Sequence, residues 1–182
     1  MRRAVLQTRT VAEHLAVAGV TLLCVLLVWS LTHQESGVAG SVSNGAAPPA
    51  PIFSLPRLSG TGRVDLRTYA RRIVVIDFWA SWCGPCKIEL SRLERLWGRY
   101  RGSPVVFIGI DVRDSTSDAR ALLRARGITF PTAFDSTERL VTAYGVQSLP
   151  ELFVRAPDGR VVAHLRGITS SAKLDAVLRR LM

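Results

Sequence analysis

Ile73-Val74-Val75-Ile76-Asp77-Phe78-Trp79 and Val105-Val106-Phe107-Ile108-Gly109-Ile110 are almost unbroken apolar runs, short, and β-branched or aromatic. That pattern predicts strands buried on both faces. From about Cys83 to Arg101 the spacing turns helical, with Cys86, Leu90, Leu93 and Trp97 in register and Leu96 and Tyr100 beside them. A second helix is predicted over Thr116–Arg126, where Ala119, Leu122 and Leu123 share a face and Gly127 supplies a C-terminal cap. Ile128–Phe134 reads as a strand interrupted by Pro131, hence an edge strand. Ser136 is placed to cap a short helix carrying Leu140, Val141 and Tyr144, closed by Gly145. Leu152–Val154 and Val161–Leu165 flank Pro157-Asp158-Gly159, a hairpin signal. Ser170 is placed to cap a last helix with Leu174, Val177, Leu178 and Leu181. Ahead of all these, Ile52–Leu55 and Val64–Leu66 are short strands around Ser59-Gly60-Thr61-Gly62. Strands alternating with helices and ending in a hairpin predict an α/β three-layer sandwich with a mixed β-sheet over 52–182.

The first fifty residues follow another rule. Residues 1–10 carry Arg2, Arg3 and Arg9, and Leu15 to Leu31 carries no charge. As a helix the uncharged run would rise about 26 Å, and the span 11–32, broken only by Glu13 and His14, about 33 Å. The expectation is a cytoplasmic N-terminus over 1–10 and a transmembrane anchor over 11–32, with everything beyond on the extracytoplasmic side. A cleaved signal peptide is the alternative, but its apolar core is shorter, about 7–15 residues. Residues 33–51 are rich in Gly, Ala, Ser, Val and Pro with Glu35 their one charge, which predicts a flexible linker.

Charge changes this picture little. The 182 residues hold 24 basic and 14 acidic side chains, a net charge of +10, yet only Lys87 and Lys173 are lysines. The arginines are dispersed, without basic runs or interleaved aromatics. Nucleic-acid binding is therefore not expected, and a generally solvated basic surface is.

Chemistry is concentrated in Trp82-Cys83-Gly84-Pro85-Cys86, at the junction of a predicted strand and helix. Two thiols two residues apart suit a reversible dithiol/disulfide couple. Pro85 fits a first helical turn, which puts Cys83 where unpaired N–H groups and the helix dipole favour a thiolate. Such placement lowers a cysteine pKa from about 8.5 to roughly 3.5–7.5. Zinc ordinarily needs four ligands, and Cys24 and the scattered His14, His33 and His164 do not complete a set. A purely structural disulfide would close too short a loop to stabilise much. No metal or cofactor is called for.

The stretch Asp77-Phe78-Trp79-Ala80-Ser81-Trp82-Cys83-Gly84-Pro85-Cys86-Lys87 resembles the active-site segment of the thioredoxin superfamily. The wider plan is similar to its membrane-anchored, TlpA-like branch, which includes ResA-type and cytochrome c maturation thiol-disulfide oxidoreductases. The N-terminal apolar segment, Phe53-Ser54-Leu55-Pro56 with Asp65-Leu66, and the inserted helix and strand near 116–134 carry that likeness. The resemblance implies that Cys83 is the attacking thiol and Cys86 the resolving one, together a redox-active disulfide. It implies that Leu149-Pro150 holds a cis proline beside them, offering backbone to a substrate strand, with Trp82, Gly84 and Pro85 completing the substrate surface. Asp77 matches a buried acid that moves a proton at the resolving thiol, and Glu89 an active-site acid of the branch. A carboxylate in an apolar strand is costly unless paired or protonated, which favours a role for Asp77. Ser91 replaces a proline common among relatives, and Glu151 followed by Leu152 matches the cytochrome c maturation members only in part.

The function so implied is a membrane-tethered reductase of disulfides in exported proteins, apocytochrome c among them. It would work outside the bacterial inner membrane and be re-reduced by a membrane thiol carrier. Three rivals stand beside it. One is an oxidase or isomerase running the same exchange the other way. Another is a peroxidase, which the absence of Pro and Thr at Ile76 and Ala80 disfavours. The third is a non-catalytic binding or chaperone module.

Overall fold

A computed structural model describes residues 2–32 and 37–182, with side chains from 14 to 29 and from 37 onward. The chain divides into two units, residues 1–35 and 36–182. In the first, α1 (Arg2–Thr32) is one continuous helix. From Leu15 to Trp29 its apolar side chains are exposed on all sides. Among the described residues no helix is long and apolar enough to cross a membrane. The side chains of 11–13 and 30–32 lie outside the described residues, as do 33–36 of the expected linker.

The rest of that linker departs from expectation. Residues 38–43 form a short helix, α2 (Val38–Ser43), with Val38 and Ala39 buried. Small side chains make this possible. The Cα of Gly37 packs so closely on Gly145 that an added Cβ would stand 2.8 Å from its N and Cα. Beyond α2 the chain binds the β-hairpin, with Ala50 N–H donating to Gly159 O at 2.9 Å and Val161 N–H to Pro48 O at 2.8 Å. The folded unit thus begins well before residue 52.

The two short strands β1 (Ser54–Pro56) and β2 (Arg63–Asp65) pair antiparallel. The main sheet comprises β3 (Ile73–Trp79), β4 (Val105–Val112), β5 (Thr132–Asp135), β6 (Glu151–Arg155) and β7 (Val161–Arg166). Their order is β5-β4-β3-β6-β7. Pairing is parallel for β3–β4 and β4–β5, antiparallel for β3–β6 and β6–β7, so the sheet is mixed as expected. β5 is an edge strand but starts only after Pro131, whose ring cannot donate to a ladder.

Side-chain alternation divides the core into two layers. Val75, Trp79, Phe107 and Leu152 face α3 (Gly84–Tyr100), α4 (Thr116–Arg126) and α6 (Ser171–Leu181). Val74, Ile76, Phe78, Ile108 and Phe153 face α2, the β1–β2 pair and α5 (Arg139–Tyr144). Helices on both faces of a mixed sheet make the three-layer, thioredoxin-like sandwich. Ser170 caps α6 as its sequence suggests, its Oγ accepting from Lys173 N–H. At α5 the expected Ser136 cap is replaced by Asp135, whose carboxylate accepts Leu140 N–H at 2.8 Å.

Candidate active site

The strand β3 is buried at every position and delivers the chain to its carboxyl end, where Ala80 to Cys83 turn into α3. Cys83 is the N-cap of α3, and its Sγ accepts the Cys86 N–H at 3.2 Å. A disulfide joins Cys83 to Cys86, with 5.2 Å between their Cα atoms. Both cysteines are buried, Cys86 completely and Cys83 to 5% exposure. Gly84 and Pro85 are exposed in the first helical turn, and Trp82 is 61% exposed. Accessibility therefore falls to the Cys83 side of the couple, next to an uncovered indole.

A loop after β4 fixes this turn. Asp114 accepts from Ser81 N–H and, at 2.8 Å, from Ser81 Oγ. The Trp82 indole N–H donates to Arg113 O at 2.8 Å, so Trp82 stands outward in a defined position.

The cis peptide precedes Pro150, as the resemblance implies. Leu149 packs on the apolar layer that holds both cysteines. Gly167 N–H donates to Pro150 O at 2.9 Å, bringing the loop before α6 to the same place and leaving Ile168 exposed there. The expected site residues Trp82, Cys83, Gly84, Pro85, Cys86, Leu149 and Pro150 thus come together at the carboxyl end of β3.

Two carboxyls lie behind the couple. Asp77 is 1% exposed, and neither of its oxygens has a hydrogen-bond partner in the structure. Burial, and after it the charge of Glu89, pushes its pKa well above the usual carboxylate range. Glu89, one helical turn past Cys86, is also 1% exposed. Its Oε2 accepts Thr169 N–H at 3.1 Å while Oε1 has no partner. Burial raises its pKa to about 7, against the opposing pull of the Thr169 bond and Arg92. One buried acid thus titrates near neutrality and another stays protonated well above its ordinary range, a set suited to proton exchange with a thiol.

Sequence reasoning missed a third. Asp111, at the end of β4 beside Trp79 in register, is fully buried with both oxygens unpartnered. Burial, then Asp114, raises its pKa to about 9. The signal was present: a lone carboxylate inside an apolar strand, the same argument that singled out Asp77. Glu151, directly after the cis proline, is another buried acid, paired to His164. Burial works to raise its pKa, but bonds from His164, Ser148 and Gln147 bring it below the ordinary value. Among the described residues no cluster of His, Cys, Asp and Glu is arranged to hold a metal.

The AhpC/TSA family pattern matches residues 47–164, a stretch that contains the whole Cys83–Pro150 constellation. The thiol-disulfide oxidoreductase ResA of Bacillus thuringiensis (strain Al Hakam) is 28% identical over 132 residues, covering 72% of this chain and 76% of that one. ResA of Bacillus subtilis (strain 168) is 26% identical over 153 residues, covering 84% of this chain and 85% of its own. Among solved structures, a DsbE-type thiol:disulfide interchange protein from Chlorobium tepidum superposes with a TM-score of 0.69. It is 29% identical and covers 75% of this chain and 97% of that one. A DsbF homologue from Corynebacterium diphtheriae gives a TM-score of 0.68 at 27% identity, covering 75% and 88%.

Proposed function

The chain belongs to the AhpC/TSA family, and from that premise we propose that it is a thiol-disulfide oxidoreductase that reduces disulfides of exported proteins through Cys83 and Cys86. The observation that carries this is the asymmetry of the couple: Cys83 sits at a helix N-terminus beside exposed Trp82, and Cys86 is sealed behind it near two raised carboxyls.

In the reduced enzyme the Cys83 thiolate attacks one sulfur of a substrate disulfide. The substrate S–S bond breaks, its other sulfur leaves as a thiolate and takes a proton, and a mixed disulfide to Cys83 forms. Cys86 then loses its proton to the carboxyl pair and attacks the Cys83 sulfur. The mixed disulfide breaks, the second substrate thiol is released, and the Cys83–Cys86 disulfide remains. The substrate gains two electrons from the two enzyme sulfurs and two protons, one lost by Cys86 and passed on through the carboxyl pair, the other taken from solvent. A thiol carrier in the membrane would return the enzyme to the dithiol state.

Export is supported by the order of charges at the N-terminus: Arg2, Arg3 and Arg9 precede the uncharged run Leu15–Leu31. Tethering to the inner membrane through 11–32 belongs to the same reading, supported by the apolar side chains that α1 exposes on every side. Apocytochrome c is the substrate that the resemblance to the ResA-type and cytochrome c maturation proteins suggests. Peroxide reduction is not favoured, because Ala80 stands where the family's peroxidases place a threonine.

The midpoint potential of the couple, measured with peptide-disulfide turnover, tests the direction. A value near about −270 mV with turnover that Cys83→Ser abolishes is expected. A value near about −120 mV would make the protein an oxidant instead.

A further inference from the structure

Glu151 belongs to the face of β6 that points away from α3, shared with Phe153. It touches neither cysteine, yet it is fully buried and every one of its polar contacts organises the cis-proline segment or β7. Its Oε1 accepts the N–H of Gln147 at 3.1 Å, the N–H of Ser148 at 2.9 Å and Ser148 Oγ at 3.0 Å. Its Oε2 lies 2.7 Å from Nε2 of His164. Arg166, directly opposite on β7, brings its Nε to 4.0 Å from Oε1, with a half-exposed side chain.

His164 is itself held on two sides. It faces Phe153 in register and its ring lies flat on that ring, centroids 4.4 Å apart and planes 4° apart. Its side chain is 3% exposed. An imidazole so confined has one polar task here, which is to hold Glu151 Oε2. With Oε2 fixed, Oε1 is aimed at the two amides that precede Leu149 and Pro150.

We propose that His164 is a positioning residue for docking of extended polypeptide substrates: through Glu151 it fixes the Gln147–Pro150 backbone against which a strand carrying the target disulfide lies. The inference rests on the thiol-exchange reading above. It adds that the site distinguishes peptide disulfides from small ones, since only an extended chain uses that backbone. A small disulfide needs Cys83 alone.

The test uses the full chain and two substrates, a disulfide-bonded peptide and the small aromatic disulfide DTNB. His164→Leu is expected to raise KM for the peptide about tenfold, the loss of one hydrogen bond to a charged group, with kcat nearly unchanged. DTNB reduction and the midpoint potential should not move. His164→Gln, which restores an N–H toward Glu151 Oε2, should recover most of the peptide KM. If His164→Leu does not fold, His164→Phe carries the same expectation, since it retains the stack on Phe153 without the N–H. An unchanged peptide KM, or equal losses on both substrates, overturns the inference while leaving exchange at Cys83 standing. Failure of the unmodified protein to reduce either substrate overturns the exchange reading and the inference with it.

Discussion

Asp77 on β3 and Glu89 on α3, both buried, are electrostatically coupled: burial raises the Asp77 carboxyl, and the charge of Glu89 raises it further. The two acids therefore do not ionise independently. Glu89 reaches its midpoint at about pH 7, where its charge then opposes that of Asp77.

Replacing Glu89 by Gln removes the group that titrates near pH 7. Resolution of the mixed disulfide should slow by about a hundredfold at neutral pH, at the low end of general-base contributions, and lose its inflection there. Stability should change in a defined direction too. The folded protein holds the Glu89 proton that the unfolded chain releases, so this group's contribution falls as pH rises from about 4.5 to about 7. Urea titrations across that range should show a flatter profile for Glu89→Gln.

Asp111 offers a second, separable titration. Its pKa is raised to about 9 by burial and then by Asp114, so its contribution to stability is complete below the unfolded value and declines as pH rises toward 9. Asp111→Asn should match the unmodified protein at pH 4 and exceed it in stability at pH 8. Denaturant midpoints at the two pH values check this.

Asp114 anchors the turn into α3 through Ser81 N–H and Oγ. Asp114→Ala should cost about 1.5–3 kcal/mol, the range for hydrogen bonds to a charged group. Because Trp82 hangs from the neighbouring Arg113 carbonyl, its emission should change with it, read in a background where Trp29, Trp79 and Trp97 are replaced by Phe.

Gly109 marks a close approach under the site. A Cβ there would stand 2.9 Å from Trp79 Nε1 and 3.1 Å from Thr132 Cγ2. Gly109→Ala should destabilise by about 1–3 kcal/mol through overpacking, visible in thermal unfolding.

Much of this was legible because β3, α3 and the hairpin are specified locally. Ile73–Trp79 is apolar except at Asp77, α3 repeats at helical spacing, and Pro157-Asp158-Gly159 names its own turn. Legibility failed where tertiary contact decides. Residues 38–51 have the composition of a tether, and tertiary contacts order them: the approach of Gly37 to Gly145, the burial of Val38, Ala39 and Ala50, and the bonds to the hairpin. The cap of α5 moved from Ser136 to Asp135 because β5 ends there and aims that carboxylate at the helix. The apolar run of β4 ends at Ile110, which hides Asp111 in the sequence, although one more ladder pair carries it into the core. His164 sits in an ordinary alternating strand, and nothing in sequence announces that its ring meets a buried glutamate diagonally on β6.

The most direct test of the account is capture of the reaction intermediate with Cys86→Ser. Without the resolving thiol, Cys83 should retain exported thiol proteins as mixed disulfides that a reductant releases, and a further Cys83→Ala replacement should abolish every adduct. Adducts that persist without Cys83, or none formed with it in place, would contradict the assignment of Cys83 as the attacking sulfur.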